Sequence, residues 1–199
     1  GNLMLEVSYT LNNENELIIE YKAETDQDTI INLTNHSYFN LNIQNEKVLD
    51  HLLQMDCKEY TVFDKDSIPT GEIRNVEGSP FDFREMKSIG KDFDGLENGY
   101  DHNLVIDKPE GEFKWFAKVL EKNTGRILEM GTTEPGVQFY TANYLDNVSG
   151  KGTDYKAQYA FCLEAQHYPD SPNKPAFPSV TLKKGEQYNQ KTVYRFGVE

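Results

Sequence analysis

LMLEVSYTLNNENELIIEYKA, residues 3–23, is the stretch that decides the fold. Apolar and polar side chains alternate over residues 3–10 and again over residues 17–23. A period of two places one set of side chains on each face of a strand, whereas a helix needs an apolar stripe with a period near 3.6. The asparagine-rich residues 12–15 between the two runs favour a turn. The stretch therefore predicts a β-hairpin.

Further strands are predicted along the rest of the chain. Residues 64–112 are rich in Asp, Glu, Gly and Pro and indicate loops. No segment keeps a helical apolar stripe for three turns. Many short strands joined by polar turns predict an all-β fold, an antiparallel β-sandwich that occupies residues 1–199 as one domain. The other predicted strands are residues 30–33, 113–119, 126–130, 137–144, 159–163, 179–182 and 192–198.

The composition restricts the class of partner. The 199 residues carry a formal net charge of −13, and the Lys and Arg residues are scattered. A surface this acidic repels nucleic-acid phosphates and anionic lipid, and it disfavours a phosphorylated substrate. No apolar run approaches the roughly 20 residues that cross a bilayer. Aromatic residues make up 12% of the chain, and their rings suit the apolar faces of a sugar. We therefore expect neither nucleic acid nor a membrane as partner, and the composition is compatible with a small-molecule sugar.

The cysteine and histidine patterns predict neither a disulfide nor a metal site. Cys57 and Cys162 lie far apart in apolar surroundings, which favours two buried free thiols. The four histidines are dispersed and show no His-x-His or His-Glu-x-x-His spacing. We therefore expect no metal and no cofactor.

Two residues are candidates for acid–base chemistry. His36 is predicted to lie at the end of a strand, within NLTNHSYFNL, residues 32–41. It is either satisfied by neighbouring Asn and Ser groups or a proton donor, because imidazole titrates near neutrality. Glu164 interrupts the apolar run 159–163. It lies either on an exposed strand face or in a buried place with a perturbed pKa, where it would act as a general base.

Two further polar residues suit sugar hydroxyl groups. Asp101 follows Gly99 and Tyr100, which favours a plain turn, but a carboxylate also accepts strong hydrogen bonds from hydroxyls. Gln138 is either an outward-facing strand residue or an amide that offers a sugar both a donor and an acceptor. A glycosidase pair of Asp101 and Glu164 is an alternative, but it leaves His36 without a role.

Four segments stand out together, in this order: NLTNHSYFNL (32–41), GYDHN (99–103), EPGVQFYT (134–141) and CLEAQHYPDSPN (162–173). Two shorter segments, SPFDFR (79–84) and PAFP (175–178), support them. Together they resemble the galactose mutarotase or aldose 1-epimerase family, and the resemblance extends over essentially the whole chain. It implies a galactose mutarotase-like β-sandwich, called a supersandwich. It also implies an isomerase of carbohydrate metabolism that interconverts the α and β anomers of free hexoses such as glucose and galactose.

The resemblance also implies roles for single residues. Glu164 matches the catalytic base of the family, and His36 matches its catalytic acid. The positions that match sugar-binding residues, or flank the acid in the same cleft, are Asp101, Gln138, Ser37 and Tyr38.

Two other functions stay open as alternatives. One is a noncatalytic carbohydrate-binding sandwich, which would have no need to keep both Glu164 and His36. The other is a hexose-6-phosphate 1-epimerase, which the acidic charge disfavours.

One departure from the family pattern is His167, where Asn is commoner.

The resemblance covers only the later part of the family pattern. Family members carry a long preceding segment with an Asn-Arg pair and another histidine of the site, and nothing here matches them. We therefore expect a sandwich that is incomplete at its amino terminus: a fragment, a truncated chain or a divergent short form. Open sheet edges should then promote self-association, and the chain alone should be weakly active.

The cytoplasm is the default compartment, with the periplasm or secretion as alternatives.

Overall fold

Strands dominate the regular structure. In the computed structural model, which describes residues 1–44 and 46–199, there are sixteen β-strands and three short 3-10 helices. The helices span Val48–Asp50, Ile89–Gly95 and Ser171–Asn173. The strands are β1 (Leu3–Leu11), β2 (Glu16–Thr25), β3 (Thr29–Ile30), β4 (Leu52–Met55), β5 (Cys57–Phe63), β6 (Pro69–Asn75), β7 (Lys87–Ser88), β8 (Asp101–Ile106), β9 (Lys114–Leu120), β10 (Arg126–Thr132), β11 (Gly136–Tyr140), β12 (Val148–Gly150), β13 (Thr153–Tyr155), β14 (Cys162–Gln166), β15 (Thr181–Leu182) and β16 (Gln187–Val198).

The strands form two large antiparallel sheets. The larger sheet has seven strands in the order β1-β2-β16-β10-β9-β4-β7, and the smaller has five in the order β14-β11-β8-β5-β6. Two two-stranded ribbons, β12-β13 and β15-β3, complete the described topology. The site described below lies on β8, β11 and β14 of the five-stranded sheet.

The predicted hairpin is confirmed. Strands β1 and β2 pair in register from Leu3 opposite Thr25 to Leu11 opposite Leu17. The side-chain oxygen of Asn12 accepts hydrogen bonds from the backbone N–H groups two and four residues later, both at 3.0 Å. Such a local bond fixes a tight turn. The alternation that the sequence shows is thus the alternation of a paired strand.

Side chains from both large sheets meet in one hydrophobic core. The seven-stranded sheet contributes Ile19, Val119 and Leu128, and the five-stranded sheet contributes Phe139 and Leu163. Each of these is at most 1% exposed, and burial of one such side chain stabilises the fold by about 1.5–3 kcal/mol. Two antiparallel sheets packed face to face define a β-sandwich, so the predicted fold class is confirmed.

The predicted loop region at 64–112 contains more regular structure than its composition indicates. It holds β6, β7 and β8, and the turn interpretation of Asp101 is wrong because this residue begins β8. Strand β5 was also missed. A register shift between Cys57 and Glu59 in its pairing with β8 breaks the alternation on which the prediction relies.

The segment before His36 is less regular than expected. Of the predicted strand at 30–33, only the part within Thr29–Ile30 is strand, and His36 lies in an irregular segment rather than at a strand end. Asn and Thr side chains in this segment compete with a regular ladder for backbone hydrogen bonds. The next paired residue is Phe39, which forms an isolated antiparallel bridge with Phe161.

Within residues 1–44 and 46–199, the structure contains no helix with the length and apolar character that crossing a bilayer requires.

Candidate active site

Polar side chains line one face of the five-stranded sheet. The register pairs Gln138 with Glu164 on one side and with Asn103 on the other. Side chains alternate between the faces of a strand, and the intervening Phe139 and Leu163 point into the core. The opposite face, turned away from the core, therefore carries the side chains of Asp101, Asn103, Gln138, Tyr140, Cys162 and Glu164.

Asparagine side chains hold the irregular segment of His36 beside β14. Asn32 makes two 3.0 Å hydrogen bonds to the backbone of His167: its amide nitrogen donates to the carbonyl, and its oxygen accepts from the N–H. The Tyr194 hydroxyl lies 3.2 Å from the side-chain oxygen of Asn35. These bonds give the segment the anchors that a strand ladder would otherwise supply.

His36 and Glu164 meet directly. His36 Nε2 lies 3.4 Å from Glu164 Oε1. The Glu164 side chain is only 9% exposed, whereas that of His36 is 50% exposed. The imidazole therefore forms the solvent side of the pair and the carboxyl group forms its floor. Of the two sequence interpretations of Glu164, an exposed strand face or a buried place, the structure selects the buried place.

Burial perturbs the Glu164 carboxyl group. Desolvation raises its pKa from 4.5 to about 7, and the negative charge of Asp101 adds to the rise. At neutral pH, a carboxyl group with a pKa near 7 has comparable populations of its protonated and deprotonated forms. This is the condition in which a side chain is an efficient proton-transfer group.

Asp101 and Gln138 form a second pair beside the first. Gln138 Nε2 donates to Asp101 Oδ1 at 2.8 Å. Within the described residues, the Gln138 side-chain oxygen is buried without a hydrogen-bond partner. A buried acceptor without a donor costs free energy, so this oxygen is suited to a hydroxyl group from a ligand.

Asn103 also has a buried side-chain oxygen without a partner among the described residues. It packs tightly against Gly136, where a Cβ atom would lie 2.6 Å from Asn103 Oδ1 and 2.9 Å from the ring of Tyr168. Glycine is therefore required at this position of β11. The sequence segment EPGVQFYT thus combines a packing requirement with the polar Gln138.

Aromatic rings form a wall beside the acid–base pair. Tyr38 stacks on the imidazole of His36 with 5.0 Å between ring centroids. Tyr140 presents an edge-to-face contact to His36 at 6.0 Å and to Tyr38 at 6.3 Å. Ser37 is exposed, and the structure brings it into no hydrogen bond with this group. The structure therefore gathers His36, Tyr38, Asp101, Gln138 and Glu164, and leaves Ser37 aside.

Cys162 belongs to the same face, which its sequence did not indicate. It is fully buried and free, as predicted. However, it lies two residues before Glu164 on β14 and not in the main core. One ligand atom each from His36, Cys162 and Glu164 lie within 4.8 Å of one another. The spacing of histidines alone could not reveal this grouping, because only one of its members is a histidine.

A second imidazole–carboxylate pair lies outside this group. His167 Nδ1 is 2.7 Å from Glu134 Oε2, and both side chains are largely buried. His102 lies on the core side of β8, where its ring packs 4.4 Å from Phe63 and 4.2 Å from Phe81. Burial lowers the pKa of His102 to about 4, so it is a neutral packing residue.

The fold and this face together define an antiparallel β-sandwich with an imidazole–carboxylate site on the outer face of its smaller sheet. Residues 1–195 match the family of aldose 1-epimerases. The chain is 44% identical over 202 residues to the galactose mutarotase of Bos taurus and 35% identical over 207 residues to the aldose 1-epimerase of Escherichia coli K12. All of this chain is covered in both comparisons, against 58% and 60% of the two relatives.

A solved structure, the GalM/aldose epimerase homologue from Caenorhabditis elegans, superposes with a TM-score of 0.89 at 36% identity, covering 98% of this chain and 60% of the other. The chain belongs to the aldose 1-epimerase family. It spans about three fifths of the length of the curated relatives it matches.

Proposed function

We propose that this chain is an aldose 1-epimerase that interconverts the α and β anomers of free hexoses such as glucose and galactose. The observation that carries the proposal is the contact between His36 Nε2 and Glu164 Oε1 at 3.4 Å, with the carboxyl group buried and its pKa raised to about 7. The names of the relatives, a galactose mutarotase and an aldose 1-epimerase, support the same reaction.

The reaction needs two proton transfers, at the two oxygen atoms bonded to C1, while the bond between C1 and the ring oxygen breaks. Glu164 removes the proton of the C1 hydroxyl while His36 delivers a proton to the ring oxygen, and the ring opens to the aldehyde. Rotation about the C1–C2 bond presents the other carbonyl face, and the ring closes with the two proton transfers reversed. The hydroxyl and ring oxygens are both bonded to C1, so donor and acceptor must lie close together, as these two side chains do. Each positioned transfer typically contributes about 10²–10⁴-fold.

The neighbouring side chains are assigned to substrate binding. Asp101 accepts hydrogen bonds from sugar hydroxyls, and Gln138, held by Asp101 through its nitrogen, offers its unpartnered oxygen to another hydroxyl. Tyr38 offers a ring face or its hydroxyl beside the imidazole, and it is 50% exposed. We place Ser37 at the mouth of the cleft, where its exposed hydroxyl would reach substrate only after a local adjustment.

The decisive experiment is polarimetry of freshly dissolved α-glucose and α-galactose with the purified chain. Acceleration of mutarotation supports the proposal, and its loss in Glu164→Gln and His36→Asn with sugar binding retained supports the two roles. Sugar binding without turnover in the unaltered chain would instead favour a noncatalytic carbohydrate-binding sandwich. Turnover of glucose 6-phosphate but not of glucose would favour a hexose-6-phosphate epimerase.

We further propose that residues 1–199 form one sandwich domain that self-associates through β1. This strand ends the seven-stranded sheet and pairs only with β2 among the described strands. It exposes several large apolar side chains, namely Leu3, Met4, Leu5, Tyr9 and Leu11. An unpaired apolar edge favours pairing with another chain. Light scattering that finds only monomers at high concentration would contradict self-association.

The cytoplasm is the compartment we propose. Cys57 and Cys162 are both free thiols, and free thiols suit a reducing environment. Fractionation of the source cells tests the assignment, and recovery of the protein outside the cytoplasm would overturn it.

A further inference from the structure

Three side chains of different ligand chemistry converge beside the sheet face. One nitrogen of His36, the sulfur of Cys162 and one carboxylate oxygen of Glu164 all lie within 4.8 Å of one another. The imidazole of His, the thiolate of Cys and the carboxylate of Glu or Asp are the groups with which proteins bind zinc. Their ligand atoms lie about 2.0–2.3 Å from the ion. Small rotations of the three side chains therefore bring all of them within bonding distance of a single ion placed between them.

The backbone holds this grouping in place. Cys162 and Glu164 are two residues apart on β14, so both side chains leave the same face of one hydrogen-bonded strand. His36 follows Asn35, whose side chain contacts the buried hydroxyl of Tyr194. Cys162 is fully enclosed, whereas the His36 side chain is half exposed. An ion would therefore enter from the imidazole side.

The mixture of donors selects the class of ion. Magnesium and calcium prefer sets of oxygen ligands, and a thiol with an imidazole disfavours them. Sulfur, nitrogen and one carboxylate suit zinc, and three protein ligands leave one position for water. The other imidazole–carboxylate pair, His167 with Glu134, includes no thiol. A metal–sulfur bond would therefore show that the ion is bound at His36, Cys162 and Glu164 and not at this second pair.

We propose that His36, Cys162 and Glu164 form a binding site for a zinc ion, and that the bound ion blocks the proton-transfer pair. The binding site stands on geometry alone, while the blocking effect rests on the proposed function. An ion that bonds to the imidazole nitrogen and to the carboxylate takes the lone pairs with which these groups would accept protons. Zinc would therefore act as a reversible inhibitor.

The test measures zinc binding to the full chain without sugar. Equilibrium dialysis and titration calorimetry with zinc are carried out on the unaltered chain, on Cys162→Ala and on the matched control Cys57→Ala. Cys57 is the other buried free thiol, but it lies in the main core. Cobalt replaces zinc in a parallel titration, because a cobalt–thiolate bond gives a charge-transfer band in the near ultraviolet.

We expect one zinc ion and a sulfur–cobalt band for the unaltered chain and for Cys57→Ala. Changes in groups that merely support a metal ligand weaken binding about 10–100-fold, so loss of the thiol in Cys162→Ala should weaken it at least tenfold and abolish the band. His36→Gln, at a half-exposed side chain, gives a second variant with the same expected loss of affinity if Cys162→Ala does not fold. Unchanged affinity in both variants, or binding without a sulfur band, would overturn the site.

Polarimetry with zinc separates this inference from the proposed function. Inhibition that is relieved by a chelator supports both. Zinc binding in a chain without mutarotation would leave the site standing and remove the proposed function. Mutarotation with no zinc binding up to millimolar concentrations would do the reverse.

Discussion

Gln138 lies directly opposite Glu164 in the antiparallel pairing of β11 and β14. Directly opposed residues have Cβ atoms about 4.5–5.5 Å apart, so the amide and the buried carboxyl group share one part of the sheet face. The Gln138 nitrogen is used by Asp101, which leaves its oxygen as the acceptor without a partner in the described chain. The pairing register of β8, β11 and β14 thus brings the Glu164 carboxyl group, the Gln138 amide and the Asp101 carboxylate together without help from a loop.

Glu164→Gln should lower the rate of mutarotation by about 10²–10⁴-fold, the usual contribution of one positioned proton-transfer group. The amide keeps the shape of the side chain but has no proton-accepting charge. Polarimetry of α-galactose measures the rate, and circular dichroism checks the fold. Glu129→Gln on β10 of the other sheet is the matched control and should retain full rate. A Glu164→Gln chain that turns over like the control would remove Glu164 from the mechanism.

The rate should depend on pH through the Glu164 carboxyl group. Its pKa is raised to about 7 by burial and by the charge of Asp101, and only the deprotonated form accepts a proton. We therefore expect kcat/KM to rise with pH along a limb centred near pH 7 and to level off above about pH 8. Initial rates of α-glucose mutarotation between pH 4.5 and 8.5, corrected for the uncatalysed reaction, measure this limb. A limb centred near pH 4.5 would show that Glu164 is solvated in the working chain.

The same raised pKa predicts how stability changes with pH. The pKa of Glu164 is about 7 in the folded chain and near 4.5 without its surroundings, so the folded state binds more protons between these values. Its stabilising contribution is fully present below about pH 4.5 and is lost as pH rises through 7. The loss is on the order of 3–4 kcal/mol, because a pKa difference of about 2.5 corresponds to about 1.4 kcal/mol for each unit.

Urea unfolding at pH 5 and pH 8 tests this linkage by comparison with Glu164→Gln, which has no such titration. The free energy of unfolding of the unaltered chain, relative to the variant, should be lower at pH 8 than at pH 5. An equal difference at both values would mean that the carboxyl group does not titrate in this range.

Asp101→Asn should move the acid limb of the rate profile to lower pH. The charge of Asp101 is the second cause of the raised pKa of Glu164, after desolvation. Its removal lets the carboxyl group ionise more easily, and it also weakens the hold on Gln138, so KM should rise. The control is Asp94→Asn, an exposed residue of the 3-10 helix Ile89–Gly95 rather than of the five-stranded sheet, which should change neither quantity. An unshifted limb with a raised KM would restrict Asp101 to substrate binding.

The sequence predicts those parts of the structure that depend on interactions between residues close together in the chain. The hairpin of β1 and β2 follows from alternation alone and is confirmed. Strand β5 is not predicted, because the register shift after Cys57 breaks the alternation of apolar and polar side chains. Of the two interpretations of Asp101, the turn is wrong because this residue begins strand β8.

Glu164 and His36 were identified through the resemblance to a family of known enzymes. No local sequence pattern indicates that these two side chains are in contact. That contact depends on an irregular segment anchored by residues about 135–160 positions away, as the bonds of Asn32 and Asn35 show. The position of Cys162 was missed for a related reason. An apolar run indicates that its thiol is buried, but the face on which it is buried depends on the register of β14 with β11.

Tyr194 is predicted to position the acid–base pair. Its hydroxyl is buried and lies 2.9 Å from the carbonyl oxygen of Leu163 and 3.2 Å from Asn35 Oδ1. Leu163 and Asn35 immediately precede Glu164 and His36, so one hydroxyl group bridges the backbone beside Glu164 and the side chain beside His36. Tyr194→Phe should cost about 1–3 kcal/mol of stability, because it leaves buried acceptors without a donor. It should also lower kcat more than it raises KM, since His36 loses its anchor.

Tyr188→Phe separates this positioning role from a loss of stability. The Tyr188 hydroxyl donates to Gln190 Oε1 at 2.8 Å on the same long strand, β16, outside the acid–base pair. Both variants remove one hydroxyl from the same strand, and both should be destabilised to a similar degree in urea. Only Tyr194→Phe should lose turnover at a temperature where both chains are folded. Equal kcat values for the two variants would reduce Tyr194 to a packing residue, because the contact of His36 with Glu164 would then not depend on the bridge from Leu163 to Asn35.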